Sequence, residues 1–348
     1  MQPAQVIVLA IPVFLALMAL EWWWGVRRGR DTYRLNDAIG SLLLGVISQV
    51  VPVLLRFGVY AWVWRHAALL HLPVDAWWVW LLALLGYDFC YYWLHRAGHR
   101  VAILWAAHAV HHQSEEYNLS TALRQTGSGW LLGWLFYLPL AVLGVPPLVF
   151  VTVGLIDLLY QFWVHTRQID RLGWFDRWFC SPSNHRVHHA VNDRYLDHNY
   201  GGILMVWDRL FGTFIEEDDA EPIVYGTRTP LASWNPLWAN LVVYQERARL
   251  MRHARGWREQ LAVWLAPPDW KPAAAPAGAP FVLQREPYDP PLPRARALLA
   301  SAGFVLVLLA SAQWLWAAHR LAPLALWSGA SAIIAASWLV ARLLAPPR

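Results

Sequence analysis

Residues 5–24, QVIVLAIPVFLALMALEWWW, form an apolar run interrupted only at its ends, by Gln5 and Glu21. That length matches the ~20 residues a helix needs to cross the hydrocarbon of a bilayer. In hydrocarbon every backbone N–H and C=O must be satisfied within the chain, so a run of this kind restricts the fold to spanning helices. Further runs occupy 40–64, 76–95, 130–143 with 147–164, 297–317 and 324–343. The middle pair is short and joined at Pro146-Pro147, which predicts a hairpin that dips into the bilayer and returns. The first run ends in Trp22-Trp23-Trp24 instead of a small-residue cleavage site, so it reads as an anchor and not as a signal peptide. These features predict an all-α integral membrane protein: a multi-span helical bundle with a cytoplasmic histidine-box helical cap.

Composition agrees. Charged residues are 15% of the chain and hydrophobic ones 57%, where a soluble domain carries about 25% charged. The 25 tryptophans suit the interfacial zone. The net charge of +5 comes from arginines scattered among apolar segments, which points to topology and lipid headgroups and away from nucleic acid. Arg27, Arg28, Arg30 and Arg34 follow the first run, Arg96 and Arg100 the third, and Arg167 and Arg171 the hairpin. The positive-inside rule then puts 96–129 and 166–296 in the cytoplasm. Arg56, inside the second run, is expected to snorkel or pair within the bundle.

The chain divides into N-terminal transmembrane helices (1–75), a histidine-rich core including the hairpin (76–226), an amphipathic helix with a Pro/Ala linker (227–295) and a C-terminal transmembrane pair (296–348). Within the third part, 235–265 mixes Arg and apolar residues at helical spacing, predicting one interfacial helix.

Against this oily background, histidines concentrate. His95-Arg-Ala-Gly-His99 is followed by His108-Ala-Val-His111-His112, and a third group reads His185-Arg-Val-His188-His189. Spacings of three and four put imidazoles on one helix face. Nine residues separate His99 from His108, about half a turn net at ~100° per residue, so the chain must bend between the first two groups, with Gly98 the natural place. Ser181-Pro-Ser-Asn184 supplies helix-start chemistry before the third group. Asp157, Gln161 and His165 fall at i, i+4, i+8 as a polar stripe on an apolar run. His66, His71, His253 and His319 read as ordinary interfacial residues.

Ten histidines, His95, His99, His108, His111, His112, His165, His185, His188, His189 and His198, are the candidate metal ligands. Ten imidazoles exceed one ion's coordination shell and suit a pair. Cys90 and Cys180 form no CxxC motif, so nitrogen and oxygen are the donors available. Imidazole alone does not choose among Zn, Cu, Fe and Ni. Neither HxxHH group has the glutamate of a zincin, and a redox metal pair beside a bilayer suggests O2 chemistry on a lipid C–H bond. Asp88, Gln161, Asp193 and Asp197 are placed to orient the rings.

The boxes HRAGH, HAVHH and HRVHH resemble the membrane-bound fatty acid hydroxylase and sterol desaturase superfamily, over roughly 80–226. SEEYNLSTALRQ, YQFWVHT, SPSNHRVHH and NYGGILMVWDRLFGTF narrow the resemblance to its alkylglycerol monooxygenase-like branch. The resemblance implies a diiron site facing the cytoplasm, with the eight box histidines as ligands and His165 and His198 beside them. It also implies two Fe ions, O2, a membrane lipid substrate, an external electron donor (a tetrahydropterin or a redox protein) and a bacterial inner membrane. Hydroxylation of an unactivated C–H bond is the implied reaction, with ether cleavage of an alkylglycerol as one form and desaturation as the alternative. Arg100 stands where the branch's pattern carries Glu, a position linked to pterin use. A metal transporter or a zinc-bound structural protein are the readings of another class; transport would distribute ligands along several spans at mid-bilayer depth.

Overall fold

The computed structural model describes residues 3–55, 58–278, 280–283 and 286–346. Among these the chain is helical and has no strand, only an isolated antiparallel bridge between Phe179 and Leu204. The helices are α1 (Pro3–Arg27), α2 (Leu35–Leu55), α3 (Val59–Ala67), α4 (Trp77–Arg100), α5 (Ala102–His112), α6 (Leu119–Ala122), α7 (Trp130–Gly133) and α8 (Leu138–Val142). They continue with α9 (Pro147–Trp163), α10 (Trp174–Trp178), α11 (Pro182–His188), α12 (Val206–Leu210), α13 (Pro236–Leu250), α14 (Gly256–Leu265), α15 (Arg294–Ala317) and α16 (Pro323–Leu344).

Four helical stretches, Ala4–Arg27, Leu35–Leu54, Arg294–Arg320 and Pro323–Leu344, are long and apolar enough to cross a membrane. α2, α15 and α16 pack on one another through a stripe at helical spacing on α2 (Ile39, Leu43, Val46, Val50) that meets Phe304 and Val307 of α15 and Ala330 and Ile333 of α16. A second core joins α4 to α9 through Val79, Ala83, Val149 and Val153. α1 leans on the rest at its far end. Glu21, buried there, accepts from the Tyr33 hydroxyl (2.5 Å), the Leu119 amide (2.8 Å) and the Thr166 hydroxyl.

Several expectations change. The 40–64 run is two helices, α2 and α3, and Arg56 lies outside the described residues. The 76–95 run belongs to α4, which continues to Arg100 and is not among the four membrane-length apolar helices, because Trp77, Trp78, Trp80, Tyr87, Asp88, Tyr91, Tyr92 and Trp93 dilute its leucines. The chain bends at Val101, extended at φ −125° and ψ 117°, and not at Gly98. The amphipathic 235–265 segment is also two helices, separated by a 3-10 turn at Met251–His253 and by Gly256, whose φ of +76° no L-residue adopts readily.

Candidate metal centre

Helix packing brings nine imidazoles together in two groups. His95, His99, His108, His112 and His188 form one; His111, His165, His185 and His189 form the other, and the ligand atoms of each group lie within 4.8 Å of one another. Eight of the nine are buried and His108 is half-buried. None belongs to the four membrane-length helices. α4 and α5, folded back on each other at Val101, supply five rings. Gly98 faces the His108 ring, where a Cβ would sit at an ordinary contact of 3.5 Å. His165 arrives two residues past the end of α9. The third group sits on and just beyond α11, capped by Ser181, whose hydroxyl accepts from the Asn184 amide at 3.3 Å.

Backbone carbonyls aim the rings. The Nδ1–H of His95 donates to Tyr200 (2.8 Å), that of His111 to Arg124 (2.9 Å), that of His165 to Gln161 (2.8 Å) and that of His188 to His198 (3.0 Å). His99 Nδ1 faces Asp197 Oδ1 at 3.4 Å. A neutral imidazole has one N–H, so each ring that gives it to a carbonyl presents a bare lone pair at Nε2. Burial keeps these rings neutral: it pushes His112, His165, His185, His188 and His189 well below the ordinary imidazole range and His111 to about 4.

Those lone pairs confront one another. His111 Nε2 and His165 Nε2 are 3.1 Å apart although both rings have their proton on Nδ1. In the other group His95, His108, His112 and His188 follow in a row, with Nε2 separations of 3.1, 3.0 and 3.2 Å. The outer two have no Nε2 proton, so the two inner rings cannot satisfy all three contacts by hydrogen bonds. A cation in each group does satisfy them. Ligand nitrogens at right angles on an ion with ~2.1 Å bonds sit ~3.0 Å apart, and at tetrahedral angles ~3.4 Å. The buried Nε2 of His99 and Nδ1 of His185 have no hydrogen-bond partner. The all-imidazole donor set thus fits two transition-metal ions.

His198 is not in either group. Its carbonyl holds His188, and its ring Nδ1 lies 2.8 Å from the Leu196 carbonyl. Among the carboxylates and amides expected to orient rings, Asp197 does so directly, held below the ordinary carboxylate range against burial by the His99 ring and by Arg100 at 3.1 Å. Gln161 acts through its carbonyl, while its side chain donates to Asp157 (2.5 Å) and accepts from Tyr91 (2.7 Å). Asp88 touches no imidazole; it accepts from the Ile203 and Leu204 amides and from Trp207 Nε1, pinning the chain just beyond Tyr200. Asp193 is exposed and pairs with Arg228, because the loop after α11 turns it outward.

Other residues escaped the sequence reading. Asp208 accepts from the Tyr200 and Gly201 amides (2.8 and 2.7 Å) and so fixes the carbonyl that meets His95. Arg124 donates from Nε to the Val110 carbonyl (2.8 Å), tying its own carbonyl to α5. Arg186, inside the third box, forks onto Glu217 at 2.9 and 2.6 Å and reaches the Thr166 and Ile169 carbonyls (3.1 and 2.7 Å). Only the NYGG text hinted at the first of these, through glycines that let a backbone come close.

Two cavities reach the groups. One, of about 430 Å3, runs between α1, α2, α4, α9 and α15 past Ile11, Phe14, Leu42 and Leu308 to His95, His108, His111 and His165. The other, of about 840 Å3, is more polar and reaches His99, His112 and His188.

A family model described as fatty acid hydroxylase matches residues 80–213. The chain is 39% identical over 290 residues to an alkylglycerol monooxygenase of Danio rerio, covering 81% of this chain and 64% of that protein. It is 43% identical over 234 residues to the alkylglycerol monooxygenase of Homo sapiens, covering 66% of this chain and 52% of that one. An ornithine lipid hydroxylase of Rhizobium tropici is 30% identical over 216 residues, covering 59% of this chain and 63% of that protein. The chain thus spans about half to two thirds of the length of these relatives. No solved structure matches it. The segment that brings these nine histidines together is a fatty acid hydroxylase domain, carried in an integral membrane chain similar to the alkylglycerol monooxygenases.

Proposed function

We propose that the chain is an O2-dependent lipid monooxygenase that holds two iron ions in its two histidine groups and hydroxylates an unactivated C–H bond. One observation carries this reading: nine imidazoles gather with lone pairs convergent, and four of them, His95, His108, His111 and His165, close the inner end of an apolar cavity that membrane-length helices help to wall. Bound there, a redox metal pair would activate O2, which is the oxidant for C–H attack.

The chain's own residues do the rest. His95, His99, His108, His112 and His188 hold one ion, and His111, His165, His185 and His189 the other. The carbonyls of 124, 161, 198 and 200 keep the Nε2 lone pairs inward. Phe14, Leu42 and Leu308 hold a hydrocarbon chain and exclude water, so that one carbon of it is fixed against His108 and His111, where restricted orientation lowers the barrier. An alkylglycerol ether is the substrate the relatives' names suggest; an acyl chain fits the same wall. A desaturation would use the same placement. The boxes face the cytoplasm in this reading, in a bacterial inner membrane, with electrons from an external donor.

The test compares lipids, by mass spectrometry, and bound metal in membranes carrying the wild type or His188→Ala. A lipid that gains one oxygen, or is cleaved to an aldehyde, only with the wild type is the expected result. Equal lipid profiles with iron-loaded wild-type protein would count against the reading.

A further inference from the structure

Two five-residue helices outside the histidine groups carry strongly exposed apolar side chains. Trp174 and Trp178 of α10 are 70% and 54% exposed, and Leu210 of α12 is 67% exposed. The two helices are fastened together. The Met205 amide donates to the Trp178 carbonyl (2.9 Å), Arg209 Nε donates to the Arg177 carbonyl (2.7 Å), and the Phe179–Leu204 bridge lies between them. Large apolar side chains gathered on one exposed surface mark a contact site.

The neighbouring elements identify what that surface meets. α4 exposes Trp78, Leu82, Leu85, Phe89 and Trp93, at spacings of three and four that define one helix face. In an integral membrane chain such a face lies against lipid tails. The stripe runs directly onto the α12 segment, where Phe89 meets Trp207 (5.1 Å between ring centres) and Trp93 meets Phe211 (5.0 Å). α9, with Ile156 and Leu159 exposed, reaches α10 in the same way, through Trp163 against Phe175 at 6.0 Å. Where the stripes end, cations begin. Arg96 stands over the Trp93 ring at 5.4 Å, and the exposed Arg177 and Arg209 form no ion pair among the described residues. Indole rings beside guanidinium groups suit the headgroup zone of a bilayer, and unpaired arginines there favour anionic lipid.

We propose that α10 and α12 form an interfacial foot seated in the headgroup zone of an anionic leaflet, with Trp174, Trp178 and Leu210 embedded and Arg177 and Arg209 on the lipid phosphates. The foot also fixes a depth. α11, which leads to His185, His188 and His189, begins four residues after Trp178, and between them the Cys180 amide donates to the Ile203 carbonyl at 2.8 Å. The leaflet thereby holds the third histidine box level with the headgroups. This inference goes beyond the monooxygenase reading and stands or falls without it.

The test uses the full chain in vesicles of equimolar phosphatidylcholine and phosphatidylglycerol whose acyl chains are brominated close to the headgroup. Trp174→Cys or Leu210→Cys carries an environment-sensitive fluorophore, Cys90 and Cys180 being buried. Leu309→Cys, on the exposed side of α15, is the lipid control, and Asp219→Cys, on an 88% exposed side chain, is the water control. Both foot labels should lose at least half as much emission as the lipid control and several times more than the water control. Replacing the anionic vesicles by pure phosphatidylcholine, or adding Arg177→Gln with Arg209→Gln, should reduce that loss at least twofold. Quenching equal to that of the water control would overturn the proposal, as would quenching that ignores both headgroup charge and the two arginines. A label shielded from water yet not quenched by brominated lipid would indicate a protein partner and overturn it too. Trp174 and Leu210 lie on different helices, so either variant keeps the test open if the other does not fold.

Discussion

At the scale of single residues, what organises the site is mostly not side chains. Four of the nine rings are aimed by the carbonyls of Arg124, Gln161, His198 and Tyr200. Every residue has a carbonyl, so no pattern of letters marks these four. Asp197 is the exception, and its side chain was legible as a partner for an imidazole. It has a φ of +61°, a conformation Asn also tolerates. Asp197→Asn should therefore fold, yet it removes the charge facing His99. Loss of such a partner lowers metal affinity by roughly 10–100-fold. Iron retained against a chelator in dialysis measures this, and unchanged retention would mean that Asp197 merely anchors Arg100. If His188 is a ligand as proposed, His188→Ala should reduce bound metal from two ions toward one.

At the scale of elements, the histidine boxes demanded a bend between His99 and His108, and the chain makes it. The position was wrong for a physical reason. Glycine permits a bend but does not cause one, and Gly98 stays inside α4 facing the His108 ring. The break comes at Val101, whose amide still bonds back to Ala97 while the next amide, of Ala102, donates to Ala266 across the fold at 3.0 Å. Gly98 and Gly202 thus predict opposite outcomes. A Cβ on Gly98 meets His108 only at ordinary contact, 3.5 Å, so Gly98→Ala should stabilise α4 by about 0.5–1 kcal/mol. A Cβ on Gly202 would lie 2.8 Å from both Asp157 Oδ1 and Tyr91 Cδ1, so Gly202→Ala should cost about 1–3 kcal/mol. Thermal unfolding in detergent distinguishes the two; equal midpoints would contradict the packing described.

At the scale of the whole molecule, orientation and metal linkage can be tested. The turn between α15 and α16 and the helix α14 should face opposite sides of the membrane. Arg320 and Arg258 are exposed, whereas Cys90 and Cys180 are buried. An impermeant maleimide on intact cells should label Arg320→Cys and leave Arg258→Cys untouched until the membrane is opened. The reverse pattern would invert the topology. Because the folded chain gathers ligands that the unfolded chain disperses, ferrous iron should raise the unfolding midpoint of the wild type through preferential binding to the native state. The rise should be smaller in His188→Ala.

The helical membrane class, the capped start of α11 and the clustering of eight box histidines with His165 were legible in the amino-acid sequence. Each depends on local spacing or on the total of apolar residues, and both survive in a linear string. The division of nine rings into groups of five and four was not legible. It splits the HAVHH box, sending His108 and His112 to one group and His111 to the other, and likewise divides His188 from its neighbours His185 and His189. Only the crossing of α4, α5, α9 and α11 decides which rings share a space. The same holds for His198 and Asp193, whose letters suited the site but whose loops turn them elsewhere, and for the two cavities, which exist only between elements distant in the chain. Spacing along a helix tells which side chains share a face; which faces meet is settled by packing.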